Sequence, residues 1–352
     1  MDPIIFADIS MASERIGLLV SIVLNLTLAY LIIFKSHPQL GGYKNLMLIY
    51  CYFEMHYSCA AWISESTFLN TDMAFVSYRM YDGPYRKYAP LLLGKFLNSF
   101  TRFIVILLVQ FCSCYFSLLL ILSIHFVYRY CIVSNSRYTS WFEGWNIVGW
   151  VLAGMAFGFS GGLLKFLLLS ENDNATEHLR GPLMEMFHVR IEDVVYNGPV
   201  FYDCRRGADK CEKEIWSWLL LIAFIFYVIF FLSIMVFFGL KIYDRMETRR
   251  KMSSSSTAHL QTQLFWALFF QTVIPLSFMY IPVMILYVFP MIGINLGAYS
   301  NLMMMCLAVY PPLDQFFIIY IIKDFRRAMA TKICCCLKQE DQEPKSLVST
   351  SI

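Results

Sequence analysis

Seven stretches of about 20 mostly apolar residues run through this 352-residue chain, and nothing else in it constrains the fold as strongly. They lie at about 16–34, 46–64, 97–128, 146–169, 216–240, 262–289 and 299–322. A helix rises ~1.5 Å per residue and a bilayer's hydrocarbon core is ~30 Å thick, so each stretch is long enough to cross it. The second is the weakest, because Glu54, His56 and Ser58 interrupt it. Composition agrees. Hydrophobic residues are 58% of the chain and charged residues only 15%, against about 45–50% and ~25% in a soluble domain. A water-facing surface cannot be built from so few charges. This argues against a soluble enzyme or a disordered scaffold, and a net charge of +3 leaves no nucleic-acid footprint. The lipid bilayer is the expected solvent, and the fold class is an all-α, seven-transmembrane helix bundle.

Orientation follows from the Lys/Arg bias. With the N-terminus outside and the C-terminus inside, the inner segments are 35–45, 129–145, 241–261 and 323–352. These carry 15 basic and 7 acidic residues, and the outer segments carry 11 basic and 16 acidic. The expected organisation is an extracellular N-terminus (1–15), a seven-helix transmembrane domain (16–322) and a cytoplasmic tail (323–352). The first span is expected to act as the insertion signal.

The loops fit this topology. Asn174-Ala175-Thr176 is a glycosylation sequon in the long 170–215 loop, which falls outside. Of eleven cysteines, Cys204 and Cys211 alone sit in outer loops, where oxidation is possible. A Cys204–Cys211 pair is expected, the alternative being that one pairs elsewhere, for instance with Cys59. Cys334, Cys335 and Cys336 follow the last span beside basic residues, a pattern that suits S-acylation.

Polar residues inside a span are costly and mark function by default. Asn25, Glu54 and Asp314 sit at one depth on spans 1, 2 and 7, each roughly 12–14 Å from the inner face at ~1.5 Å per residue. They are expected to form one buried polar network. Two carboxylates so close would not both stay ionised, so a shared proton, a cation or a water is expected there. Arg102 and Lys165 lie near the outer ends of spans 3 and 4. Such side chains either snorkel to the headgroups or meet a ligand. Gly154, Gly158 and Gly162 share one face of span 4 and allow close backbone approach. Pro275, Pro282 and Pro311 fall within spans 6 and 7 and are candidate hinges.

Catalytic chemistry has little support. Gly158-Phe159-Ser160-Gly161 has the look of an intramembrane serine protease motif, but no His lies within spans 4 to 7 to serve as base. No His/Cys metal spacing and no phosphate-cradling glycine loop is present in the sequence, so neither an enzymatic activity nor a cofactor is expected.

Several longer strings are specific. They are Leu260-Gln261-Thr262-Gln263-Leu264-Phe265-Trp266, Gln271-Thr272-Val273-Ile274-Pro275, Tyr280-Ile281-Pro282, Tyr310-Pro311-Pro312-Leu313-Asp314, Ile322-Lys323-Asp324-Phe325-Arg326 and His125-Phe126-Val127-Tyr128-Arg129-Tyr130. In this order they closely resemble the nematode seven-helix (serpentine) chemoreceptors of the Str class. The resemblance implies a G-protein-coupled odorant or chemosensory receptor in the plasma membrane, specifically the ciliary membrane of chemosensory neurons. Tyr128-Arg129-Tyr130 stands where rhodopsin-like receptors carry acid-Arg-Tyr, which assigns it to G-protein coupling. Because Tyr128 replaces the acid, Arg129 must be restrained by some other group. The family usually has a small residue at 312 and a proline at 315, where this chain has Pro312 and Gln315.

The expected mechanism is that of a two-state receptor. A small, apolar or weakly polar ligand would bind among the outer halves of spans 3, 5, 6 and 7, with Arg102, Phe103, Tyr227, Phe278 and Tyr280 as pocket candidates. The plainer reading of those aromatics is bundle packing. The inner half of span 6 would then swing, and Arg129 with the 241–251 stretch would meet a heterotrimeric G protein. Two alternatives stay open: a ligand-gated channel or transporter subunit, although no segment is repeated, and a binding subunit of a receptor oligomer.

Overall fold

The computed structural model of the chain describes residues 3–64, 66–80, 97–169, 173–203, 211–252 and 256–340. Helix α1 (Pro3–Phe34) begins at Pro3 instead of near residue 16. Its buried residues Ala7, Ser10, Glu14, Gly17, Ser21, Asn25 and Leu28 recur every three or four positions, so one packing stripe runs its whole length. A hydropathy boundary misses this because Glu14 and Arg15 break the apolar run without breaking the stripe. At Gly17 the stripe meets the seventh crossing so closely that a Cβ would stand 2.5 Å from the Ala308 carbonyl oxygen.

Helix α2 (Tyr43–Ser64) follows, then strands β1 (Thr67–Asn70) and β2 (Phe75–Met80). Next come α3 (Leu97–Val133), α4 (Asn146–Leu168) and α5 (Asp173–Phe187), with strands β3 (Val194–Asn197), β4 (Tyr202–Asp203) and β5 (Glu212–Lys213). The chain ends in α6 (Ile215–Met252), α7 (Ser256–Pro275), a π-helical turn (Leu276–Tyr280), α8 (Ile281–Met291), α9 (Ser300–Ile321) and α10 (Lys323–Glu340). Helices α7 and α8 with the turn between them make one kinked rod, the sixth crossing.

Among the described residues, six rods are long and apolar enough to cross a membrane by length and composition alone. The seventh, α2, falls short of that measure because of its polar residues, yet it packs on α1, α3 and α9 inside the bundle. Its polarity is turned toward protein. Conversely, α4 and α6 expose Leu152, Phe159, Leu163, Leu167, Phe226, Ile229, Val236 and Phe237, a surface suited to lipid. Helix α4 seats on α3 through its glycines. A Cβ at Gly158 would collide with Ser117 Oγ and the Ser113 carbonyl, and one at Gly162 would lie 2.6 Å from the Val109 carbonyl oxygen. The close approach expected of these glycines is present.

One end of the bundle carries a cap that hydropathy does not show. Strands β1, β2 and β3 form an antiparallel sheet in that order, with Thr67 opposite Tyr78 and Ser77 opposite Asn197. Side chains alternate faces, as a strand requires. Phe68 and Phe75 point into the bundle core, while Leu69, Val76 and Tyr78 pack under α5. Helix α5 buries Ala175, Leu179, Leu183 and Phe187 on that same face. The cap is stapled to the bundle. Asn301 on α9 accepts from the Phe68 N–H (3.1 Å) and donates to its carbonyl (3.1 Å), and Asn70 donates to the Leu286 carbonyl on α8 (3.0 Å). Below, this end is the cap end and the other, which carries α10, is the tail end.

Candidate functional site

Beneath the cap lies a cavity of about 150 Å³. Phe68, Phe75 and Ser77 of the sheet roof it, and α3, α4, α6, α8 and α9 wall it with residues that include Phe111, Tyr115, Phe116, Phe224, Tyr287 and Leu307. A void of this size takes a molecule of about benzene's bulk. The walls are overwhelmingly apolar and aromatic, as small-molecule sites commonly are. Lys165 is the exception. It lines the cavity from α4, with Nζ 3.4 Å from Cys112 Sγ.

The pocket candidates chosen from sequence fare differently. Arg102 and Phe103 lie on α3, but their side chains fall outside the described residues. Tyr227, Phe278 and Tyr280 do not line this cavity. Tyr280 donates to the Tyr115 carbonyl (3.1 Å) and its ring meets that of Tyr115 at 4.7 Å. Tyr227 donates to the Phe116 carbonyl (2.6 Å). These two tyrosines fix the α3 residues that form the wall, and so act one layer away from the cavity. Sequence reasoning missed Tyr115, Phe224 and Tyr287, since an aromatic at helical spacing carries no mark of which face it occupies. It missed Phe68 and Phe75 because the cap strands were read as loop.

Deeper in the bundle, Asn25, Glu54 and Asp314 are all fully buried. The Asn25 amide donates to the Ser21 carbonyl (3.0 Å), Ser21 and Ser58 hydroxyls bond across α1 and α2 (2.8 Å), and Ser58 donates to the Glu54 carbonyl (3.0 Å). The Glu54 carboxyl accepts from Gln315 Nε2 of α9. Asp314 and Tyr50 lie beside Glu54. The direct partner of Glu54 is thus Gln315, at the position where the family usually has proline. A proline there would have no side-chain donor to offer. Asp314 lies against the Glu54 carboxyl and the Tyr50 hydroxyl, but neither of its oxygens reaches good hydrogen-bond geometry with them.

At the tail end, Arg129 is almost wholly buried. Its Nη2 donates to Gln261 Oε1 on α7 at 2.7 Å, and its guanidinium lies over the Tyr43 ring, 5.1 Å from the centroid. Gln261 therefore supplies the restraint that a neighbouring acid would otherwise give. Tyr128 stacks on Tyr43 (6.0 Å) and Tyr130 meets Phe238 of α6 (5.3 Å), which fixes α3 against α2 and α6. Gln263, two residues beyond Gln261, accepts from the Lys323 N–H at the start of α10 (2.9 Å).

Between cavity and tail end stands the kink. Pro275 has no N–H for the Gln271 carbonyl and Pro282 none for that of Phe278, so the regular ladder fails twice. The chain answers with the π-helical turn, closed by Ile281 N–H on the Leu276 carbonyl. Thr272 donates to the Leu268 carbonyl (3.0 Å). Pro311 and Pro312 lie within α9, which runs unbroken as a helix from Ser300 to Ile321.

Asn174 is half-buried in the first turn of α5, and the sequon's Thr176 hydroxyl bonds the Tyr196 hydroxyl at 2.7 Å. Cys211 is disulfide-bonded, Cys204 lies outside the described residues, and Cys59 is a free thiol. Cys334, Cys335 and Cys336 lie on α10, with side chains outside the described residues.

Comparison with known proteins places this architecture. The family of serpentine type 7TM GPCR chemoreceptors, Str, matches residues 10–330. The chain belongs to this family, and is accordingly a multi-pass membrane protein of a chemoreceptor class. It is similar to the Caenorhabditis elegans G-protein coupled receptor str-33, at 23% identity over 323 residues, covering 92% of this chain and 90% of that protein. It is 27% identical over 330 residues to G-protein coupled receptor str-217 of the same organism, covering 91% and 89%. Serpentine receptor class r-10, also from C. elegans, is 26% identical over 327 residues, covering 92% and 90%.

Proposed function

We propose that this chain is a chemosensory receptor whose ligand, a small molecule held under the cap, controls the coupling of the tail end to a heterotrimeric G protein. The observation that carries the reading is the Arg129–Gln261 bond, which ties α3 to α7 on the far side of the proline kink from the cavity. A ligand moves a two-state equilibrium only through its differential affinity, and about 5.5 kcal/mol carries it from 1:99 to 99:1. Val283 and Tyr287 of α8 line the cavity, so a ligand presses directly on the segment above the kink. Rotation about the π-helical turn then separates Gln261 from Arg129. The freed guanidinium and the basic stretch ending α6 form the surface that the G-protein α subunit meets.

The cap end faces outside in this reading. The basic excess of the tail-end segments supports that orientation, as does the sequon at Asn174 and a disulfide-bonded Cys211 at the cap end. The chain then serves in a plasma membrane, in the ciliary endings of chemosensory neurons, with Cys334–Cys336 available for acylation on the inner side. Association with other receptor copies fits the apolar faces of α4 and α6.

The test is Arg129→Ala in a reporter cell challenged with volatiles and water-soluble metabolites. The variant is expected to reach the surface and lose ligand-evoked, guanine-nucleotide-sensitive output. Unchanged signalling by Arg129→Ala refutes the coupling role, and a ligand-gated current indifferent to guanine nucleotides makes the chain a channel subunit.

A further inference from the structure

Among the described residues the cavity holds one cation, Lys165, and packing does not explain it. Lys165 could have left an apolar wall by extending along α4, as lysines near span ends commonly do. Instead its Nζ sits 3.4 Å from the Cys112 sulfur. A thiol is a weak acceptor and answers an ammonium poorly. Tyr287 is the other polar neighbour that interacts with it. Among the described residues no carboxylate lines the cavity, and the three ion pairs, Arg180–Glu177, Arg180–Glu192 and Arg190–Asp193, all lie in the cap around α5. A second donor shares the wall. The Tyr115 hydroxyl is buried and has no hydrogen-bond partner among the described residues. The site thus offers an ammonium and a phenol, and to receive them only the Cys112 thiol and the Tyr287 and Ser77 hydroxyls, with no carboxylate among the described residues.

Lys165 is half-buried, and holding a charge against apolar walls is costly unless it is paired. The same lysine makes the cavity selective, because a neutral apolar guest leaves the ammonium unpaired while an anionic guest pairs it. We propose that the cavity binds a small organic carboxylate, with Lys165 as its counter-ion, Tyr115 as a second hydrogen-bond donor and the ring of aromatics holding an apolar body. From the volume, that body is a short branched chain or a single ring, about six to nine heavy atoms with the carboxyl included. This extends the expectation of an apolar ligand, since the body remains apolar and the head carries the charge. The proposal rests on the cavity being the receptor's ligand site.

The experiment uses the full chain in lipid nanodiscs and measures binding by ligand-induced thermal stabilisation and by titration. The probes are benzoate and hexanoate against neutral mates, the alcohols of the same carbon skeletons, benzyl alcohol and hexanol. The variants are Lys165→Gln, Lys165→Arg and Val283→Trp, the last filling the cavity from α8. The acids are expected to bind at least tenfold more tightly than their mates. Lys165→Gln should level that preference, Lys165→Arg should preserve it, and Val283→Trp should abolish binding of every probe. If acids and mates bind alike, or if Lys165→Gln keeps the preference, the counter-ion role is overturned. In that case loss of binding in Val283→Trp still upholds the cavity as the ligand site. If no probe binds, or Val283→Trp changes nothing, the cavity and the counter-ion fall together.

Discussion

Removing the Gln261 side chain tests how the resting state is held. In Gln261→Ala, Arg129 loses a 2.7 Å charge-assisted bond made in a buried setting. Hydrogen bonds to charged groups contribute about 1.5–3 kcal/mol net. At about 2 kcal/mol, the ratio of resting to active receptor falls roughly 30-fold. A receptor active about 1% of the time without ligand then becomes active roughly a quarter of the time. The longer contact from Arg129 to the Gln261 backbone carbonyl, 3.5 Å, survives the truncation but is too long to compensate. Gln261→Glu acts in the opposite sense, because it turns the bond into an ion pair and deepens the resting state. The assay is agonist-free nucleotide exchange on a reconstituted G protein, at matched receptor density. Basal exchange should rise at least several-fold in Gln261→Ala and fall below the parent in Gln261→Glu, with a rightward shift of any agonist curve. Basal exchange in Gln261→Ala equal to the parent would refute the assignment of this bond as the latch.

Three further expectations follow from particular contacts. Glu54→Ala strands the Gln315 amide inside the bundle and should cost about 1–3 kcal/mol, whereas Asp314→Asn should stay within about 1 kcal/mol of the parent; thermal melting of the purified chain that ranks them the other way contradicts the pairing. Gly158→Val drives a side chain into Ser117 and Ser113 and should lower stability by about 1–3 kcal/mol or more, while Gly149→Ala, with nothing within 4 Å of its added Cβ, should melt like the parent; equal melting of the two variants rejects the tight α3–α4 seam. In the cap, burial holds the His178 imidazole below its ordinary value of 6.5, with Asp72 pulling the other way. The unfolded state therefore binds more protons between the lowered value and 6.5, so the cap's stability is full above 6.5 and declines as pH falls below it. Amide exchange across β1–β3 should speed up on acidification in the parent and much less in His178→Gln; identical acid responses would dismiss His178 as the cause.

The number of crossings, the family and the polar depth level were all legible in the sequence. Each depends on a local quantity, namely apolar length, a string of residues, or a count along a helix. Asn25, Glu54 and Asp314 could be placed at one level because a helix has a fixed rise. The same arithmetic is silent on azimuth, and for that reason Tyr227, Phe278 and Tyr280 were expected in a cavity that other aromatics line. The sequence showed that Arg129 lacked its usual restraint. That Gln261, 132 positions away, supplies it depends on how α3 and α7 cross.

Gln315 shows the division most sharply. In the sequence it is only a departure from the family's proline. In the fold it is the donor that holds the Glu54 carboxyl. The cap was hidden for a related reason: its strands are short, bury both faces and lie among loop residues, so no hydropathy contrast marks them. Apolar content alone committed this chain to the membrane, since that free energy is a sum over residues in any arrangement. Which aromatic lines the cavity, which amide holds the arginine and where Lys165 points are pairwise facts. They exist only once helices distant in sequence have packed at a particular rotation.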